Sequence, residues 1–474
     1  MKKTFKKLFA VLLAAALVLA MAVPAFAETN APKGSITISK TVKDETYTIY
    51  RMFKLDSYNA ESKTYSYTVE SAWENFFQTG AGKDYITLTN GHPTWTEGAD
   101  AAAFAKAALA WAKTNNIGHT DQTSATSTNV TFSNLKLGYY LVDSSLGALC
   151  GLNTTNPDAT IKEKNEKPEI KKEVQTSTGD WGDKNNAKIG DTVEYKVEIK
   201  VADGAQTYTV TDTMSKGLTF NSVSLKVAAN GTTAAASDYT LTPTENGFTL
   251  VLPESYVSTL TKGTTIMVTY NATLNKDAVI DGDGNTNEVK LGYGNHQNTV
   301  PSKVTTKSYQ FDLVKVDGTT NKLLDGAEFK LYETKTSDTA LRFVKNADGS
   351  YRVALNTENG ENVTDTIVVN GKVHISGLDK VNYWLDETRA PDGYNKLTER
   401  QEVKLSEGSQ NATLETGATT WAEGNGGVVV KNNAGTVLPS TGGMGTTLFY
   451  VIGGGLMMAA VVLLVTKKRM EHKN

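Results

Sequence analysis

The sequence predicts an all-β protein of three tandem immunoglobulin-like β-sandwich domains, and three observations carry that prediction. Short alternating runs rich in Thr, Val, Ile and Tyr fill most of the chain, as in Val193-Glu194-Tyr195-Lys196-Val197-Glu198-Ile199 and Tyr208-Thr209-Val210-Thr211. Gly, Asn and Asp turns separate these runs, which is the spacing of stacked antiparallel sheets. A strand with a lysine on its apolar face then recurs at about one domain length.

Taken in order, the chain opens on Lys2, Lys3, Lys6 and Lys7, an apolar run over 8–23, and the small-x-small triplet Ala25-Phe26-Ala27. That is the pattern of a secretory signal peptide cleaved after Ala27, so residues 1–27 lie outside the fold. A first domain is expected over 28–165, a second over 166–303 and a third over 304–436. Residues 100–113 are Ala-rich, with Phe104, Ala108 and Trp111 at helical spacing. They predict one amphipathic helix packed on the first domain's sheet, its aromatic stripe serving as core. A second short helix is expected over 72–77.

The last segment, 437–474, holds Leu438-Pro439-Ser440-Thr441-Gly442, an apolar run over 448–465, and a tail with Lys467, Lys468, Arg469 and Lys473. About 18 apolar residues are near the lower limit for a transmembrane helix. The basic tail would stay on the cytoplasmic side.

The whole chain has 48 basic and 51 acidic side chains, a net of −3. Loss of both ends would remove eight basic residues and one acidic residue, leaving a mature charge of about −10. Such a surface repels nucleic acid, and no basic patch with interleaved aromatics argues otherwise. The lone Cys150 allows no internal disulfide and reads as a small buried hydrophobe. The five His are scattered, without metal-ligand spacing, and no phosphate loop or nucleophile elbow is present. No cofactor or metal is expected.

The chemistry-bearing residues form one constellation, found three times. Side chains at i, i+2 and i+4 share a strand face. Ile36, Ile38 and Lys40 do so in the first domain, Ile170, Lys172 and Val174 in the second, and Phe311, Leu313 and Lys315 in the third. Three lysines thus point where a core should be, and an unpaired buried ammonium is costly. Each domain also ends on a strand offering an asparagine: Asn165, Asn287 and Asn432. Asn165 meets its strand's inward face only through a bulge or bend. Each offers an inward carboxyl as well: Asp143 after Tyr139 and Leu141, Asp212 after Tyr208 and Val210, Glu387 after Tyr383 and Leu385. A plain buried ion pair beside a hydrogen-bonded amide would use the same residues.

Tyr383-Trp384-Leu385-Asp386-Glu387-Thr388-Arg389-Ala390-Pro391-Asp392-Gly393-Tyr394 is similar to the E-box of the Cna B-type domain, YxLxETxAPxGY. Leu324-Asp325-Gly326-Ala327-Glu328-Phe329-Lys330-Leu331 is similar to its L-x-G-A-x-F-x-L segment, and the second domain, with Asp212, resembles the Cna A-type. With the signal peptide and the LPxTG-like end, the chain resembles the sortase-assembled major (backbone) pilins of Gram-positive bacteria.

The resemblance implies intramolecular Lys–Asn isopeptide bonds: Lys172–Asn287 with Asp212, Lys315–Asn432 with Glu387, and Lys40–Asn165 with Asp143. In the first domain a buried ion pair or an exposed edge strand is the competing reading. It also implies sortase cleavage between Thr441 and Gly442 and transfer of Thr441 to a lysine of the next subunit. Lys164, in Lys162-Glu163-Lys164-Asn165, stands where that family carries its acceptor, with Lys162 and Lys167 as alternatives. The family's preceding Pro and Tyr are replaced here by Glu163 and Lys162.

The expected function is therefore structural, a subunit of a covalent pilus anchored to the cell wall. Its implied partners are a pilin-polymerising and a housekeeping sortase, further copies of itself, tip and minor pilins, peptidoglycan, and a host-surface ligand of unspecified kind. A wall-anchored adhesin or minor pilin that does not polymerise is the alternative. No enzyme activity beyond self-directed bond formation is expected.

Overall fold

The computed structural model describes residues 33–59, 64–144, 147–153, 158–163, 166–202, 207–294, 297–435 and 445–471. About half of them lie in β-strands, arranged around four buried clusters.

In the N-terminal region, strand Lys33–Ser39 lies between Asn129–Lys136, antiparallel, and Asp158–Lys162, parallel. This small sheet packs on a larger one that contains Thr64–Val69, Thr46–Asn59, Gly138–Ser144 and Gly147–Asn153, in that order. Ile36, Ile38, Val130, Phe132, Tyr140 and Val142 fill the space between them. The far face of the larger sheet is covered by helix Ala101–Thr114 and by helical turns at Ser71–Trp73 and Glu74–Gln78. Leu141 joins Trp73, Phe76, Phe104 and Leu109 there. Gly138–Ser144 is thus covered on both faces and is buried almost continuously, as a doubly covered strand must be. Asp100 caps the long helix by accepting from the Ala103 amide at 3.3 Å. Both helical segments fall where the spacing places them. The hairpin Ile86–Thr89/His92–Trp95 turns on Asn90-Gly91, both at positive φ, the requirement of a tight two-residue turn.

The middle region is a sandwich of two sheets. One contains, in order, Glu169–Gln175, Thr192–Lys200, Thr265–Leu274 and Leu218–Ala229. The other contains Ser302–Lys307, Asn285–Tyr293, Tyr208–Met214 and Gly247–Leu252. Strict alternation along Thr192–Lys200 and Thr265–Leu274 sends Val193, Tyr195, Val197, Ile266, Val268 and Tyr270 inward.

The C-terminal sandwich sets Lys372–Leu378, Tyr309–Asp317 and Val428–Asn432 in one sheet, the last two parallel. Ile367–Asn370, Asp325–Tyr332, Asn382–Arg389 and Gln401–Lys404 form the facing sheet. Phe311, Leu313, Phe329, Leu331 and Leu385 meet between them.

Two joints link these bodies. Val42 of the N-terminal region packs on the middle core. Glu45, 1% exposed, pairs with Lys167 at 2.7 Å and accepts from the Tyr293 hydroxyl at 3.4 Å. At the second joint Ile189, on the loop before Thr192–Lys200, is buried in the C-terminal core. Its amide donates to the Gly377 carbonyl at 2.8 Å. A Cβ on Gly377 would lie 2.6 Å from Ile189 Cδ1, and its φ of +84° disfavours any side chain there. Tyr309 adds a hydrogen bond to Asn186 Oδ1 at 3.1 Å.

The chain's final helix is Gly445–Glu471. Its apolar residues Leu448 to Val465 are exposed, and 24 of its residues, Leu448–Glu471, are long and apolar enough to cross a membrane. Lys467, Lys468 and Arg469 follow the apolar run.

Candidate functional site

In the middle sandwich, alternation places Lys172, Tyr195 and Tyr270 on one sheet, facing Asp212 and Asn287 on the other. All five are essentially buried. The Lys172 ammonium touches Asp212 Oδ2 and the Tyr270 hydroxyl, and donates to Asn287 Oδ1 at 2.5 Å. The rings of Tyr195 and Tyr270 stack at 5.4 Å, with Lys172 Nζ 5.3 and 5.2 Å from their centres. Burial pulls Lys172 down to about 8 against the opposing attraction of Asp212. Burial pushes Asp212 up, against Lys172 and the hydrogen bond from Tyr270. A dry site favours the neutral amine beside the neutral acid. The neighbouring Lys171 points to solvent and pairs with Glu173 at 2.6 Å, so the register keeps the two lysines apart.

The C-terminal site has a different layout. Lys315 and Asn432 lie on adjacent parallel strands of one sheet, two rungs apart, and Glu387 comes from the sheet opposite. Asn432 Nδ2 donates to Glu387 Oε2 at 2.9 Å and to the Asn395 carbonyl at 2.5 Å. Glu387 Oε2 is also held by the Leu397 amide at 2.7 Å, and Lys315 Nζ stands 4.0 Å from Oε1. Burial brings Lys315 down to about 8, with Glu387 opposing. Glu387 Oε1 and Asn432 Oδ1 are buried without hydrogen-bond partners among the described residues.

In the N-terminal region Lys40 and Asp143 are not brought together, which corrects the sequence reading of that pair. Lys40 lies past the end of its strand, at φ +61° and exposed, rather than beside Ile36 and Ile38. Asp143 shares its face with Leu141, on the helix side of the larger sheet, and meets Lys113 of the helix at 3.5 Å. The first and last strands do pair in parallel, as in the C-terminal region. The inward residues of the first strand, Ile36 and Ile38, are both aliphatic, where the C-terminal region's first strand turns Lys315 inward. The lysine position is filled by an aliphatic side chain.

Lys164, Asn165, the 438–442 motif, Ala25 and Ala27 lie outside the described residues. Cys150 sits in strand Gly147–Asn153, but its side chain is not among those described. Lys162 is exposed at its strand's end, whereas Lys167 is drawn onto buried Glu45. Sequence reasoning missed Tyr195 and Tyr270. The available signal was their place on inward faces otherwise wholly aliphatic, where a hydroxyl needs a partner.

The family described as Gram-positive pilin backbone subunit 2, Cna-B-like domain, matches residues 189–297. The prealbumin-like SpaA domain matches 309–420, and the LPXTG cell wall anchor motif matches 430–473. The matched description of the middle domain is Cna-B-like, where the sequence had suggested the A-type. The trypsin-resistant surface T6 protein of Streptococcus pyogenes serotype M6 is 26% identical over 288 residues, which are 53% of this chain and 48% of that protein. The chain thus spans about half the length of this curated relative. The solved T6 backbone pilin of serotype M6 Streptococcus pyogenes matches with a TM-score of 0.54 at 19% identity, covering 79% of this chain and 80% of its own. The major pilin SpaD of Corynebacterium diphtheriae matches at 0.48 and 19%, covering 85% and 98%.

Tandem Cna-B-like and prealbumin-like sandwiches ahead of a wall-anchor motif define a cell-wall-anchored surface protein. Within that class, the middle domain of this chain matches the Gram-positive pilin backbone family.

Proposed function

We propose that the chain is the shaft subunit of a covalent pilus. Thr441, freed from Gly442 by a pilin-polymerising sortase, is joined to a lysine of the next copy, Lys164 first among the candidates. The observation that carries this is the backbone-pilin match over 189–297 in a chain that also matches the wall anchor over 430–473. The tie between Lys167 and Glu45 favours the other two lysines as acceptors. The last subunit of a fibre would pass to peptidoglycan through a housekeeping sortase. Tip and minor pilins and a host-surface ligand are its further partners. We take the domains as 28–165, 166–303 and 304–436, after signal peptide 1–27.

Two internal isopeptide bonds belong to the same proposal, Lys172–Asn287 and Lys315–Asn432. In each, a neutral amine would attack the asparagine Cγ, and ammonia would leave. Asp212 and Glu387 would act as neutral acids that polarise the amide and carry protons. A carboxyl proton on Glu387 shared with Asn432 Oδ1 would satisfy both of the atoms left unpartnered there.

The polymer is tested by blotting cell-wall extracts. A high-molecular-weight ladder is expected, and Lys164→Ala should collapse it to the monomer. A single band in the wild type would favour the non-polymerising adhesin. A ladder that survives in Lys164→Ala would move the joint to Lys162.

The bonded middle domain also carries a pH signature. In Asn287→Ala, Lys172 remains an amine with its pKa brought down to about 8 from an ordinary 10.5. Between these values the unfolded chain holds a proton that the folded chain has released. Stability of the variant therefore rises with pH across that window. In the wild type Lys172 would be an amide and would not titrate. The melting-temperature gap between the two should narrow from pH 8 to 10.5, and a constant gap would contradict the assignment.

A further inference from the structure

The middle and C-terminal sites differ in how their acids reach the asparagine. Glu387 accepts directly from Asn432 Nδ2 at 2.9 Å. Asp212, one methylene shorter, contacts Lys172 and Tyr270 and makes no hydrogen bond to Asn287. The Tyr270 hydroxyl spans that gap. It donates to Asp212 Oδ2 at 2.6 Å, accepts from Asn287 Nδ2 at 3.2 Å, and touches Lys172 Nζ. A phenol has one proton to donate and two lone pairs, and all three are engaged here by reacting groups. Such saturation is more than a buried tyrosine needs, since one partner would suffice. The C-terminal site has no tyrosine in this role: Tyr383, on the Glu387 strand, instead accepts from the Asp379 amide at 3.0 Å.

We propose that Tyr270 is a fourth catalytic group of the middle domain, relaying a proton from Asp212 to the departing nitrogen of Asn287. The proposal rests on the reading that Lys172 and Asn287 become joined. The neutral Lys172 amine bonds to Asn287 Cγ, and Oδ1 takes the negative charge. Attack frees a lone pair on Nδ2, and the phenol then turns its proton from Asp212 Oδ2 to Nδ2 as its oxygen takes the Asp212 proton. Asp212 then recovers a proton from Nζ. The oxyanion collapses, the Cγ–Nδ2 bond breaks and ammonia leaves. Asp212 and Tyr270 end as they began, and no other reactant is needed.

The ring and the hydroxyl separate in Tyr270→Phe, which keeps the stack on Tyr195. Full-length chain is synthesised in vitro with detergent, sampled over time, and digested to follow the Lys172–Asn287 and Lys315–Asn432 cross-linked peptides by mass. In Tyr270→Phe the middle link is expected to form at least about tenfold more slowly, while the C-terminal link keeps the wild-type rate and serves as an internal clock. An equal middle-link rate in variant and wild type overturns the relay. Absence of the middle link from the wild type overturns the underlying reading instead. Melting of Asn287→Ala with and without Tyr270→Phe isolates the fold. Unchanged melting leaves the slowed link to chemistry, whereas loss of the folded middle domain would make the hydroxyl structural and reject the relay.

Discussion

Asn432→Ala is expected to leave the C-terminal domain folded but open, and to cost it about 4–5 kcal/mol, the loop-closure term for a cross-link that spans some hundred residues. Asparagine is the instructive member to remove. Lys315 keeps Glu387 opposite it, so no buried charge is stranded. Alanine at Lys315 or Glu387 would mix the loss of the link with that penalty. Thermal unfolding and the disappearance of the cross-linked peptide provide the check. Trypsin provides a second readout. The wild-type chain, despite 48 lysines and arginines, is expected to resist digestion through its cross-linked C-terminal domain while Asn432→Ala is cut. Matching melting and matching digestion would mean that no bond closes this domain.

Ile189→Ala is expected to destabilise the C-terminal domain although the residue belongs to a loop of the middle one. Its side chain is 3% exposed, in the core built by Phe311, Phe329 and Leu385. Truncating a buried isoleucine costs about 2–5 kcal/mol, depending on how far the site collapses. The backbone hydrogen bond to Gly377 survives the change. The loss is best read in the Asn432→Ala background, where no cross-link masks it. The C-terminal transition should fall while the middle one holds. A fall in the middle transition alone would show that the isoleucine serves only its own loop.

The parts of this architecture that were legible in the sequence are those governed by short-range periodicity. Alternation put Lys172 and Lys315 inward, and i, i+4 spacing found helix Ala101–Thr114. The inward lysines were visible because a charge on an apolar face contradicts its surroundings. Asp143 was misread for a reason that periodicity cannot supply. Its strand has cores on both sides, so "inward" has two meanings there, and 139, 141 and 143 face the helix rather than the first strand. Lys40 was misread because the strand ends at Ser39 and the chain then turns through a left-handed residue. Ile189 gave no sign of its neighbours, since contacts between domains leave no period in the chain. Tyr270 follows plain alternation, so its ring reads as core, and only its hydroxyl among aliphatic neighbours asks for a partner.

The empty lysine position of the N-terminal domain bears on how pull would run through a fibre. In a shaft joined from Thr441 of one copy to Lys164 of the next, the load path inside each copy runs only from 164 to 441. The sandwich at 33–163 hangs beside that path, and the parallel pairing of Lys33–Ser39 with Asp158–Lys162 can hold it without a covalent clasp. Within the path, a bond from Lys315 to Asn432 would stow the intervening chain, several hundred ångströms of contour at about 3.3 Å per residue. Such a fibre could not pay out length from its C-terminal domains, and within each copy its give would fall on the joint at Ile189.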